Sequence, residues 1–283
     1  MSKKLPQEIL RCPDCQRPEL SVTADALVCA GCLKPYRRKG DRFVFVENTF
    51  QHMTDDFDKW KYFFKGHYRF YDAAKKVFSP VYMTRHLGRF LRDHVKGREQ
   101  VVLNLGSGNR DLGPEISNVD LFPYDKVDLV CDAACLPLKD ASADIVINVA
   151  LLEHVEDPAR VMREIWRVLK PGGTVYTFVP FMQGFHASPR DYFRWTSEGV
   201  RILHEGFEPL EIINEGGPTS ALLWMLQEWL AMALSFGIRP LYRTLYLLLM
   251  LATFPIKYLD IILVRHPLAK HISSGFTYVG IKK

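Results

Sequence analysis

The feature that most constrains this chain is a series of short apolar runs in residues 101–180, each closed by a turn or a helical pattern. Val101-Val102-Leu103-Asn104-Leu105 opens the series and passes straight into Gly106-Ser107-Gly108-Asn109-Arg110. An uninterrupted apolar run that ends in glycines reads as a strand buried on both faces, as in parallel sheets. Glycines at such a strand end let the backbone turn sharply and approach a ligand closely. Asn118-Val119-Asp120-Leu121 places an acid at the end of a second strand, and Val127-Asp128-Leu129-Val130-Cys131-Asp132-Ala133 ends a third in another. Ala143-Asp144-Ile145-Val146-Ile147-Asn148-Val149 reads as a fourth, running into Leu151-Leu152-Glu153-His154-Val155. Asp157-Pro158 then starts a helix, cap first and proline in the first turn. Val161, Ile165, Val168 and Leu169 recur at helical spacing, and Lys170-Pro171-Gly172-Gly173 stops that helix before a fifth strand at 174–179.

Alternating strands and helices predict an α/β protein with a doubly wound, Rossmann-like sheet and a ligand crevice at the strand C-termini. There, Asp120 suits the hydroxyls of a ribose and Asp132 the amine of an adenine. The interval from the glycine loop to Asp120 is well below the ~20 residues of a dinucleotide-binding unit, which argues against a nicotinamide cofactor. So short an interval also implies a truncated first helix.

In their order, Asn104 to Arg110, Asp120, Asp132-Ala133, Leu152-Glu153-His154 and Leu169-Lys170-Pro171-Gly172-Gly173 resemble the successive motifs of the class I S-adenosylmethionine (SAM) dependent methyltransferases, type 11 group. The resemblance implies a seven-stranded methyltransferase sheet. It also implies a SAM site made by Asn104, Gly106, Ser107, Gly108, Asp120, Leu121, Asp132 and Ala133. Gly106 and Gly108 would face the methionine part, Asp120 the ribose, and Asp132 with Ala133 the adenine. The sequence departs from the family pattern twice: Asn104 stands where an acid is usual, and Arg110 replaces the third glycine.

Cys12-Pro13-Asp14-Cys15 and Cys29-Ala30-Gly31-Cys32 are two Cys-x-x-Cys pairs on either side of a strand-like stretch. This spacing aims four thiolates at one tetrahedral Zn²⁺, and a segment this short needs the metal to fold. A redox dithiol needs only one pair, and no thioredoxin-like pattern follows. The run from Ile9 through Phe43 resembles the Trm112-like zinc ribbon, which accompanies methyltransferases as a partner or a fused domain. Its basic cluster, Arg37, Arg38, Lys39 and Arg42, reads as a solvated turn or as a phosphate contact.

Three further segments bear on the substrate. Between ribbon and sheet, Phe57, Trp60, Tyr62, Phe63, Phe64, Tyr68, Phe70 and Tyr71 interleave with lysines and arginines, as in a helical lid or connector. After the fifth strand, the loop at 180–196 concentrates His186, Asp191, Tyr192 and Arg194. Its His-x-x-x-x-Asp-Tyr-x-Arg pattern is similar to an element of surface-polysaccharide methyltransferases. For a hydroxyl acceptor His186 is the first candidate general base and His154 the second, while Arg194 suits an anionic substrate. Alternatively Asp191 and Arg194 only pair and fix the loop. Strands at 208–213 and 276–281 flank an apolar insertion with Trp224, Trp229 and Tyr258 near basic residues, a pattern that suits helices in a bilayer interface, a buried layer or a homodimer contact. The uninterrupted apolar runs in it fall short of the ~20 residues of a spanning helix.

The expected organisation is therefore a zinc ribbon at 1–46, a connector or lid at 47–98, and a SAM-dependent methyltransferase domain at 99–283 with a hydrophobic helical insertion at 218–270. The expected activity is methylation of a lipid-linked or saccharide substrate. An rRNA or tRNA methyltransferase and a non-catalytic SAM-fold scaffold in a glycan-assembly complex are the alternatives. A net charge of +5 mildly favours anionic partners such as nucleic acid or acidic lipid and is too small to decide between them. Paired cysteines and the absence of an apolar leader after Met1 place the expected protein in the cytoplasm, at the inner face of the membrane.

Overall fold

The computed structural model describes residues 5–23, 25–46, 77–82, 84–97, 99–187 and 190–283. The expected aromatic lid, Phe57 to Tyr71, lies outside the described residues. Four short strands, β1 (Leu20–Val22), β2 (Ala26–Cys29), β3 (Pro35–Lys39) and β4 (Arg42–Val44), pair as an antiparallel meander. Seven more follow: β5 (Val102–Leu105), β6 (Ile116–Asp120), β7 (Leu129–Val130), β8 (Ala143–Val149), β9 (Leu169–Pro180), β10 (Phe207–Glu215) and β11 (Gly275–Lys282). All lie in one sheet, ordered β1-β2-β3-β4-β7-β6-β5-β8-β9-β11-β10.

The expected seven-stranded sheet is present as β7-β6-β5-β8-β9-β11-β10, parallel except for β11. The whole sheet has eleven strands because β4 pairs in parallel with β7, Phe43 opposite Leu129 and Val44 opposite Val130. The ribbon thereby covers what would be an exposed edge. It is tied down again by Arg11 N donating to Pro137 O (3.0 Å) and Lys139 N to Ile9 O (2.8 Å).

Both faces of the sheet are covered, which accounts for the continuous apolar runs in its central strands. On one face, helix α1 (His86–His94) sets Phe90 against Val102, Ile116, Ile147 and Tyr176. On the other, α2 (Pro158–Val168) buries Val161, Met162, Ile165 and Val168. The Asp157 side chain caps α2 by accepting Arg160 N at 2.9 Å. A shorter helix, α3 (Ser197–Leu203), follows β9. Between β5 and β6, residues 106–115 form turns and no helix, so the expected truncation is complete.

The insertion between β10 and β11 is a helical hairpin, α4 (Pro218–Ser235) and α5 (Arg239–Thr253), continued by a 3₁₀ turn (Phe254–Leu259) and α6 (Asp260–Leu263). Arg239–Leu263 makes one helical stretch of 25 residues, long and apolar enough by length and composition to cross a membrane. The uninterrupted apolar runs read as too short for this, because Lys257 and Asp260 punctuate the stretch without breaking it. Both are turned inward. Asp260 accepts Thr219 N (2.9 Å), Ser220 N (2.7 Å) and Ser220 Oγ (2.6 Å), capping α4 from a distant segment. Lys257 Nζ donates to Ser79 O at 2.7 Å, and burial pulls its pKa down to about 8.

Candidate functional site

The sheet reverses its winding between β5 and β8, and the loops leaving these strands line the crevice at that point. Gly106 (φ +66°) and Gly108 (φ +54°) occupy the left-handed region where glycine costs least. A Cβ on Gly106 would stand 2.8 Å from Leu151 Cδ1, so Leu151 forms the floor under this loop. Ala150, just before it, is also left-handed (φ +56°), a strained turn of the kind that collects at functional sites. A Cβ on Gly108 would meet nothing within 4 Å among the described residues, so its backbone is open to a ligand.

Asp120 sits beneath this loop. Its carboxylate accepts Gly108 N at 2.7 Å and Phe122 N at 2.9 Å. Burial raises its pKa, and the N–H groups of Phe122, Gly108 and Leu121 only partly offset that. Ser107 is buried and donates its N–H to Val119 O at 3.2 Å. Asn104 is buried too, with Nδ2 donating to Asn118 Oδ1 (2.9 Å) and, more weakly, to Arg110 O (3.4 Å). At the end of β7, exposed Asp132 accepts Ala134 N at 2.8 Å, and Ala133 packs on the core.

A second polar cluster forms where the loops after β8 and β9 meet. Glu153 is fully buried in the 3₁₀ turn Leu152–His154, and neither carboxylate oxygen has a hydrogen-bond partner. His154 Nε2 lies 3.8 Å and His186 Nε2 3.7 Å from Glu153 Oε1. The two imidazoles meet edge to face with centroids 5.4 Å apart. His154 Nδ1 donates to Arg190 O at 2.6 Å, and His186 Nδ1 lies 2.9 Å from Gly184 O. Arg194 grips Asp191 through both guanidinium arms (2.5 and 2.6 Å), and Asp191 in turn accepts His186 N at 2.8 Å. Tyr192 points away, its hydroxyl donating to Glu156 at 2.8 Å. Burial opposes protonation of His186, but Glu153, the Gly184 carbonyl and Asp191 outweigh it and raise the pKa, whereas Arg194 holds that of Asp191 down despite burial. Trp224 of α4 reaches over this cluster, its ring 5.7 Å from that of His186.

The four ribbon cysteines converge, with Cys12 and Cys32 Sγ 3.6 Å apart and Cys15 and Cys29 Sγ 3.4 Å apart. All four sulfurs lie within 4.8 Å of one another. Ligands about 2.3 Å from one tetrahedral zinc have this spacing, so the set fits a structural Zn²⁺. Gly31 N donates to Cys29 Sγ at 3.3 Å, and the Tyr36 hydroxyl touches Cys12 Sγ at 2.9 Å, which fixes the thiolates from outside.

Residues 111–177 match the family model described as a methyltransferase domain. This segment is similar to the methyltransferase domains of that family. The family's cofactor is SAM. Over 58 residues the chain is 43% identical to a probable S-adenosylmethionine-dependent methyltransferase of Mycolicibacterium smegmatis, which covers 20% of this chain and 23% of that protein. Over 77 residues it is 36% identical to the ubiquinone/menaquinone biosynthesis C-methyltransferase UbiE of Desulfotalea psychrophila, covering 26% of this chain and 30% of that one. The matches thus span less than a third of the length of these relatives. Among solved structures, the complex of the Haloferax volcanii Trm112 methyltransferase activator with a methyltransferase aligns at TM-score 0.45 and 18% identity, over 81% of this chain and 96% of that one.

Three residues around these loops escaped sequence reasoning. Glu153 looked like part of a motif, and only burial singles it out. Trp224 arrives from the insertion, and the spacing carries no sign of it. Arg42 read as a solvated or phosphate-binding residue. Instead it reaches inward, donating to the carbonyls of Val127 (2.8 Å), Pro123 (3.1 Å), Tyr124 (2.8 Å) and Asp125 (3.1 Å) in the loop after Asp120.

Proposed function

We propose that the protein transfers the methyl group of SAM to a hydroxyl of a lipid-linked saccharide at a membrane surface. Gly106, Ser107 and Gly108 would hold the methionine part, Asp120 with Leu121 the ribose, and Asp132 with Ala133 the adenine. Asp120 fits this role because its backbone contacts leave further lone pairs on the carboxylate. Asn104 serves the same pocket by holding the loop through Asn118 and Arg110. SAM supplies an electrophilic methyl carbon, so the chain must align the acceptor, exclude water and accept one proton.

The cluster of Glu153, His154 and His186 is the proton-accepting end of that crevice. Arg194 and Asp191 position His186 through its backbone N–H. Tyr192, directed at Glu156, anchors the loop from outside. The observation that carries the assignment is the contact of Trp224 with His186, since it joins the acceptor end to the apolar hairpin. Leu222, Trp229, Met232 and Phe236 of that hairpin are exposed, as are Leu247, Leu248 and Ile262. So many exposed apolar side chains on one hairpin suit a lipid interface better than water.

The test is calorimetric titration with SAM and its demethylated product, then transfer of labelled methyl from SAM into a membrane extract. Binding of both, with label in the lipid-soluble saccharide fraction, supports the proposal. Label only in RNA would favour the nucleic-acid alternative, and no cofactor binding by folded protein would favour a scaffold.

A further inference from the structure

Glu153 is a fully buried carboxylate with neither oxygen hydrogen-bonded. Leaving a charge in that condition costs several kcal/mol, so it calls for a proton or a cation close to it. Among the described residues, the basic side-chain atoms within 4 Å of it are His154 Nε2 at 3.8 Å and His186 Nε2 at 3.7 Å, both beyond hydrogen-bond reach. Arg194 lies in the same loop, but Asp191, Gly184 O and Gln183 O take up its guanidinium.

The tautomers sharpen this. A backbone carbonyl only accepts, so the 2.6 Å contact to Arg190 O puts a proton on His154 Nδ1. His186 Nδ1 lies 2.9 Å from Gly184 O, which only accepts, and 3.3 Å from Arg194 Nη2, which only donates; the shorter carbonyl contact favours a proton on Nδ1 here too. In the neutral rings both Nε2 atoms are then lone pairs, and they face a carboxylate. Three acceptors point at one another. A ring whose outer nitrogen donates to a carbonyl while its inner nitrogen offers a lone pair is how metal-binding histidines are held.

We propose that Glu153, His154 and His186 bind one divalent transition-metal ion. The donor atoms lie within 4.8 Å of one another, and ligands about 2.1 Å from a shared ion stand up to about 4.2 Å apart, so a small inward adjustment closes the site. Two imidazoles and one carboxylate select Zn²⁺, Fe²⁺, Mn²⁺ or Co²⁺ over Mg²⁺ or Ca²⁺, which take oxygen ligands. Three protein ligands leave coordination positions for a further oxygen. Only if the cluster is the acceptor end proposed above does that oxygen belong to the substrate, whose hydroxyl the ion would acidify so that its proton passes to solvent water and not to His186. The metal site itself does not depend on methyl transfer.

The test uses the full chain with zinc retained in the ribbon, titrated calorimetrically with Co²⁺ after brief treatment with a weak chelator. One equivalent should bind to the wild type, and Glu153→Gln and His186→Gln should each weaken that binding more than about tenfold. Circular dichroism and thermal melting identify any variant that fails to fold, and His154→Gln then stands in for it. No stoichiometric Co²⁺ binding to the wild type overturns the proposal, as does unchanged affinity in folded variants. Because the readout is metal affinity, failure here leaves the SAM titration unaffected.

Discussion

The carboxylate of Asp120 accepts the backbone N–H of Gly108 at 2.7 Å. The acid expected to take a ribose is therefore also the support of the glycine loop above it. Asp120→Asn keeps the shape but weakens both functions, because an amide oxygen is a poorer acceptor than a carboxylate. SAM affinity should fall at least about tenfold, a cost of about 1.4 kcal/mol, with the circular dichroism spectrum unchanged. Calorimetry with undiminished affinity in a folded variant would refute the assignment.

Arg42 gives the ribbon a route to the same pocket. Four donors from one side chain hold the loop at 123–127, directly after Asp120. Arg42→Ala should lower SAM affinity severalfold while the zinc content stays at the wild-type level. Equal affinities would mean that the ribbon covers the sheet edge and does nothing for the pocket.

Loss of the metal should act more broadly. Cys12→Ser removes one of four converging thiolates, and the strands it supports continue into the main sheet through β4 and β7. Zinc should be lost, and unfolding stability should drop by more than about 2 kcal/mol. Atomic emission and urea denaturation read these separately. A variant with wild-type stability would show that the ribbon folds without its ion.

How much of this was legible from residues alone depended on whether the signal was local. Asp157-Pro158 wrote its own cap, and Leu103, Leu105, Val146 and Ile147 announced buried parallel strands. The Cys-x-x-Cys pairs fixed a four-sulfur centre. What could not be read was any partnership across long separations. Arg42 meets carbonyls more than eighty residues away, and Asp260 caps a helix that begins at Pro218. The extension of the sheet from seven strands to eleven has the same origin, since β4 and β7 find each other only in space.

His204 offers a test in pH. It is buried, stacked on Tyr278 with ring centroids 3.9 Å apart, and its Nε2 meets Thr177 Oγ1 at 2.8 Å. Burial holds its pKa down at about 4, against 6.5 for the free side chain. Between these values the unfolded chain binds the extra proton, so stability is complete above pH 6.5 and is lost as pH falls toward 4. The contribution is about 3 kcal/mol in order of magnitude. Urea midpoints measured from pH 7 to pH 4.5 should fall in the wild type and stay flatter in His204→Phe. Parallel curves would assign the acid sensitivity elsewhere.

The apolar hairpin makes the last prediction. α5 buries none of its residues, yet the segment after it is pinned by Asp260 and Lys257. α5 packs on α4 through the Gln227–Thr253 and Tyr242–Glu228 contacts and exposes Leu247 and Leu248, the side that the proposed membrane contact would lay on a bilayer. Wild-type protein should float with phosphatidylglycerol-containing vesicles. Replacing Leu247, Leu248 and Ile262 by glutamate should reduce that fraction more than about tenfold, because each charge resists burial in an apolar phase. SAM affinity should not change, since none of the three touches the glycine loop. If the substituted protein floats equally well, the membrane assignment is wrong. If neither protein floats and the wild type sediments as a dimer that glutamate dissociates, the hairpin is the contact between two copies.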